Sequence, residues 1–69
     1  MTEAPRFEVR YNADTWLVYD GIEHRYGRTV TGLHSITVQI VTALNEGAYS
    51  DMPWHDHPKT AALSVRYKP

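Results

Sequence analysis

Residues 6–20 constrain the fold more than any other part of the chain, because they read as one β-hairpin. Phe7, Val9 and Tyr11 alternate with Glu8 and Arg10, the period of two that sends successive side chains to opposite faces of a strand. Asn12-Ala13-Asp14 supplies turn chemistry. Trp16-Leu17-Val18-Tyr19 then forms a second segment of β-favouring residues. Both faces of that second segment are apolar or aromatic. One face goes to a core, so the other must meet something else.

Size limits what that core can be. The chain has 69 residues, which predicts a single small domain over 1–69. A chain this short buries only about 60% of the surface its unfolded form exposes, so its stability is thin. It has no cysteine, so no disulfide offsets that weakness, and a reducing cytoplasm is the expected location. Two Trp, five Tyr and one Phe exclude a disordered charged tail. A formal charge of −1 provides no general attraction to nucleic acid or to a membrane surface. Met1 to Pro5 lacks the basic start and apolar run of a signal peptide and reads as a mobile lead-in over 1–5. No apolar run approaches the roughly 20 residues of a membrane span.

The rest of the chain predicts an α+β fold. Asp20-Gly21 makes a second turn, and 22–30 is expected to supply a third strand anchored by Tyr26 and Val30. Between 32 and 46, Leu33, Ile36, Ile40 and Leu44 recur at helical spacing, with Ser35, Gln39, Thr42 and Glu46 opposite. Thr31 is the expected N-cap and Gly47 the expected stop. The same stretch is rich in Ile, Val and Thr, which are stiff at χ1 and favour strands, so an all-β alternative stays open. Residues 48–60, with Pro53 and Pro58, read as an irregular connection. Residues 61–68 alternate Leu63, Val65 and Tyr67 with Ser64, Arg66 and Lys68, the pattern of a last strand. The reading is a small antiparallel sheet with one helix across it.

Few residues carry catalytic promise. Ser35, Ser50 and Ser64 lie in no nucleophile elbow, and the four glycines form no phosphate loop. An enzyme is not expected, nor is a cofactor. His55-Asp56-His57 is the nearest approach to a metal motif, with Asp51, His24 and His34 as conceivable additions. A structural zinc usually takes four protein ligands, so no metal site is expected. Arg10, Arg25 and Arg28 beside Tyr19 and Tyr26 suggest nucleic-acid contacts through an open sheet face, against which the balanced charge weighs. Trp54, between Pro53 and His55, either covers a bare edge of the core or inserts into a partner.

Trp16-Leu17-Val18-Tyr19-Asp20-Gly21, then Tyr26-Gly27, then Ala43-Leu44-Asn45-Glu46-Gly47 resembles the small strand–strand–helix proteins of actinobacteria and their phages. The resemblance covers about residues 6–48 and implies a sheet with one helix across it; it implies no catalytic residue. The present helix departs from that pattern in being rich in Ile, Val and Thr rather than Ala. Together these features predict a non-enzymatic protein-binding accessory module, phage or mobile-element encoded, that docks on a partner protein or on its own copies. A DNA-binding module is the alternative. Trp16 and Val18 are expected to face the helix. Arg10, Leu17, Tyr19 and Trp54 are the expected partner-binding residues.

Overall fold

The computed structural model describes residues 4–49 and 51–64. Three antiparallel strands run in chain order: β1 Phe7–Asn12, β2 Thr15–Asp20 and β3 Arg25–Gly27. Two helices follow, α1 His34–Asn45 and α2 Pro58–Leu63. The architecture is α+β, with α1 on one face of the sheet and α2 on the other.

The hairpin register pairs Phe7 with Asp20 and Asn12 with Thr15, leaving a two-residue loop. Ala13 and Asp14 both take positive φ, 51° and 61°, which makes the loop a type I′ turn. That geometry matches the strand twist, but an L-alanine pays for its left-handed backbone. Replacing Ala13 with Gly is therefore expected to raise stability by about 0.5–1 kcal/mol, after the larger chain entropy of Gly is set against the relieved strain. Urea denaturation of the two proteins checks this; a less stable Gly variant would contradict it.

Pairing across the hairpin fixes the two faces. Phe7, Val9, Tyr11, Trp16, Val18 and Asp20 share one face, and Glu8, Arg10, Leu17 and Tyr19 share the other. On the first face Phe7 and Val18 pack with Val41 and Leu44 of α1 and with Met52, flanked by Val9, Ile40 and Trp54. Trp16 and Val18 thus face α1, as expected from the larger apolar body of Trp16 and the hydroxyl that Tyr19 keeps for water. Gly27 allows this layer to close: a Cβ there would collide with the Met52 side chain and come within 3.3 Å of the Trp54 ring.

Several boundaries differ from expectation. The third strand is confined to Arg25–Gly27 rather than 22–30, because residues 21–24 form a turn in which His24 has φ 55°. The helix is His34–Asn45, and Leu33 rather than Thr31 occupies its N-cap. Thr31 instead accepts a 3.4 Å bond at Oγ1 from the Leu33 amide. The buried stripe of α1 is Thr37, Val41 and Leu44, and Leu33 is exposed. Thr37 can be buried because its hydroxyl donates to the Leu33 carbonyl at 2.7 Å, one turn back. Gly47 does end the helix. At φ 99° it donates to Leu44, while Ala48 donates to Ala43, the double closure of a Schellman motif.

The largest correction concerns the chain after Pro53. Residues 58–63 are helical, so the expected last strand does not begin at 61 and the irregular connection ends at His57. Pro58 sits in the first turn of α2, where its missing N–H costs nothing. Residues 65–68 of the expected strand lie outside the described residues. Ala61 and Ala62 are buried against Leu17, with Tyr26 alongside. Their small side chains let α2 lie close to the sheet, and Leu17 is wholly inaccessible beneath them.

Candidate functional site

With α2 over Leu17, the outer face of the sheet is open only beyond it. Tyr19 and Tyr26 are opposite one another in β2 and β3, with ring centroids 4.8 Å apart. The Arg10 guanidinium lies 4.8 Å from the Tyr19 centroid, in cation–π geometry. Arg10 Nη1 also donates to Glu8 Oε1 at 2.8 Å. The Tyr19 hydroxyl and His24 Nδ1 are hydrogen-bonded at 3.1 Å. The result is a half-exposed aromatic pair bordered by one ion pair. Exposed ion pairs of this kind contribute little to folding, so Arg10 and Glu8 are available for other partners.

The opposite face holds a different cluster, centred on Asp20. Its carboxylate is inaccessible to solvent. Arg6 donates to it twice, from Nε at 3.0 Å and Nη2 at 2.9 Å. Arg25 Nε donates at 3.2 Å, and the amides of Ile22 and Glu23 donate at 3.0 and 3.2 Å. Burial by itself opposes ionisation of Asp20 and is the largest single influence. The bonds from Arg6, the two amides and Arg25 outweigh it and hold the carboxyl well below the usual carboxylate range. A carboxylate this fully occupied is a structural hub, tying the start of β1 to the 21–24 turn. Arg25 also stacks 4.3 Å from the Trp54 ring, and Trp54 lies 6.2 Å from Phe7.

The four expected contact residues are therefore divided. Arg10 and Tyr19 meet on the outer face. Leu17 is sealed under α2 and forms core rather than surface. Trp54 lies across the sheet from them, half-buried against Phe7 and Arg25. The three arginines also diverge: Arg25 turns to Asp20, and Arg28 Nη1 donates to the Ser64 carbonyl at 3.2 Å. Arg10 alone borders the Tyr19–Tyr26 pair. Among the described residues no three His, Asp or Glu side chains converge on a point. His24 is bonded to Tyr19, His34 packs 4.5 Å from Trp16, and His55 extends the sheet.

The sheet edges complete the site, and sequence reasoning had not resolved them. In an antiparallel pair, alternate residues direct their N–H and C=O groups toward the partner and away from it. Gly21 donates to the Arg6 carbonyl, so Arg6, Glu8 and Arg10 are the residues of this segment that bond toward β2. Phe7, Val9 and Tyr11 then point outward. Asn45 occupies Phe7: its Oδ1 accepts from the Phe7 amide at 2.9 Å and its Nδ2 donates to the Phe7 carbonyl at 3.0 Å. On the far edge, Tyr26 exchanges two backbone bonds with His55, of 2.7 and 2.8 Å. The β3 edge is closed at Tyr26 by a residue of the chain. The β1 edge is not: among the described residues no group pairs with the outward amides and carbonyls of Val9 and Tyr11.

Comparison with protein families, curated proteins and solved structures finds no match. No helix among the described residues is long and apolar enough to cross a membrane. What the surface offers chemically is main-chain donors and acceptors at Val9 and Tyr11, the exposed Tyr11 ring beside them, and Arg10 with Tyr19 on the adjoining face.

Proposed function

We propose that this chain is a non-enzymatic protein-binding module of the cytoplasm that adds a strand of its partner to the open edge of β1. The observation that carries the reading is the asymmetry of the two edges: β3 is closed by His55, whereas Val9 and Tyr11 of β1 have no backbone partner among the described residues. An unpaired edge is a template for another strand. Main-chain bonds supply affinity, and flanking side chains supply selectivity. Arg10, Tyr11 and Tyr19 are the selecting side chains, residue types enriched among interface anchors. Leu17 and Trp54 support this surface from within, one on each side of the sheet. The resemblance to small strand–strand–helix proteins of actinobacteria and their phages agrees with an accessory role of this kind, phage or mobile-element encoded.

Affinity capture from a nuclease-treated lysate tests the reading. A protein partner should survive the nuclease, and Arg10→Glu should weaken its retention at least about tenfold while the melting temperature stays unchanged. Loss of all binding on nuclease treatment, with affinity for DNA that collapses steeply as salt rises, would favour a nucleic-acid surface instead.

A further inference from the structure

We infer that the occupant of the β1 edge is a second copy of this chain, joined antiparallel along β1 so that the two three-stranded sheets become one of six strands. This inference rests on the edge-binding function above and names its partner.

The open groups specify the register. Each copy has two outward residues without a partner among the described residues, Val9 and Tyr11, and the next outward residue, Phe7, is held by Asn45. Two antiparallel copies of β1 satisfy all of these groups in one alignment: Val9 opposite Tyr11 of the second copy, and Tyr11 opposite its Val9. Each of these pairs exchanges two bonds, because residues whose groups point at one another form the hydrogen-bonded pair of an antiparallel ladder. The alignment places the two-fold axis at Arg10 and stops short of Phe7, so neither Asn45 need let go. A shift that sets Val9 opposite Val9 would run Tyr11 of one copy into the Phe7–Asn45 lock of the other. The contact is isologous, as a closed dimer requires.

Side chains on both faces accommodate the alignment. On the face that carries Phe7, each exposed Tyr11 ring is set beside a Val9, an aromatic–β-branched pair of the kind that stabilises sheets. On the other face the seam carries Glu8 and Arg10 from each copy. The two arginines face one another, a like-charge contact that opposes pairing, and it is offset by a glutamate of the other copy diagonal to each, within reach of long side chains. The four charges sum to zero. The Glu8–Arg10 ion pair within one copy is exposed at both partners, so it can be shared across the seam without desolvating a buried charge. The seam is short, and it belongs with weak, concentration-dependent interfaces rather than obligate ones.

Charge reversal tests this with the intact chain. Sedimentation equilibrium from about 10 µM to about 1 mM spans the affinities expected of such a contact. The wild type should pass from monomer to dimer across that range. Glu8→Arg places four cations at the seam and Arg10→Glu places four anions, so each variant alone should dimerise at least about tenfold more weakly. An equimolar mixture of the two variants should recover association at or beyond the wild-type strength, because the two seam cations of one chain then face the two seam anions of the other. Recovery in the mixture also shows that both variants are folded. A wild type that stays monomeric at about 1 mM, variants that dimerise like the wild type, or a mixture that recovers nothing would each overturn self-pairing. If self-pairing fails but capture of a foreign protein still depends on Arg10, the edge-binding function stands and only its partner is wrong.

Discussion

Replacing Leu17 with Asp is expected to unfold the protein. Leu17 has no solvent exposure and lies between the sheet and the buried Ala61 and Ala62 of α2. A carboxylate there is buried against methyl groups, and its cross-strand neighbour Arg10 is solvent-exposed and already engaged by Glu8 and the Tyr19 ring. Burying an ion without a partner costs several kcal/mol even after the surroundings relax. A chain of this length has a total stability of roughly 3–10 kcal/mol, so most or all of it is consumed. Leu17→Ala, which leaves a cavity instead of a charge, should cost about 2–5 kcal/mol and remain measurable by urea denaturation. Far-UV circular dichroism and amide dispersion by NMR read the Asp variant. A folded variant with wild-type melting would mean that α2 does not cover Leu17, and that the outer face is open there after all.

Asp20→Asn is the second large effect. The substitution keeps the shape but leaves Arg6 and Arg25 facing a neutral amide whose own N–H groups oppose them. Removing one partner of a buried ion pair costs about 3–5 kcal/mol. Both arginines here retain access to water, so about 2–4 kcal/mol is expected. The pH dependence has a definite sign. The folded carboxyl is held below its unfolded value, near 4, so the unfolded chain takes up the proton first as pH falls. The stabilisation from Asp20 is complete above about pH 4 and is lost as pH drops through the depressed folded value. The gap between wild type and Asn variant should therefore be constant near neutrality and narrow steadily below about pH 4. Parallel urea titrations at several pH values measure it. A gap that widens on acidification would show that Asp20 is not held ionised by its partners.

The sequence made some of this legible and concealed the rest for identifiable reasons. The hairpin was readable because strand alternation and turn residues agree over 7–20; alternation puts Trp16 and Val18 on one face, and the bulk of Trp16 against the Tyr19 hydroxyl says that this face meets the helix. The helix was readable from its spacing and from Gly47. Its rotation was not, since Thr37 reads as polar until its hydroxyl is seen to bond the Leu33 carbonyl. The fate of Leu17 turned on α2. A sequence alternating Leu63, Val65 and Tyr67 reads as a strand. Yet Pro58 followed by Lys59-Thr60-Ala61-Ala62-Leu63 has the first-turn proline and the alanines of a short helix. Two local patterns overlapped there, and packing on Leu17 favours the helical one. Arg10 and Tyr19 were brought together because their positions share a face. Trp54 was beyond such reasoning, since nothing in a proline-rich connection says which face of the sheet it returns to. The edges were beyond it too: which amides point outward depends on register, and Asn45 and His55 reach them from 38 and 29 residues away in the chain.

Hydrogen exchange at single-amide resolution tests the open β1 edge most directly. In dilute solution the Glu8 and Arg10 amides, bonded to β2, should be protected, while the Val9 and Tyr11 amides exchange near the rate of an unstructured chain. Raising the concentration toward about 1 mM, the range of weak association, should protect Val9 and Tyr11 selectively. Val9 and Tyr11 amides as protected as Glu8 and Arg10 at the lowest concentration would mean the edge is already covered within one chain, and would contradict the account.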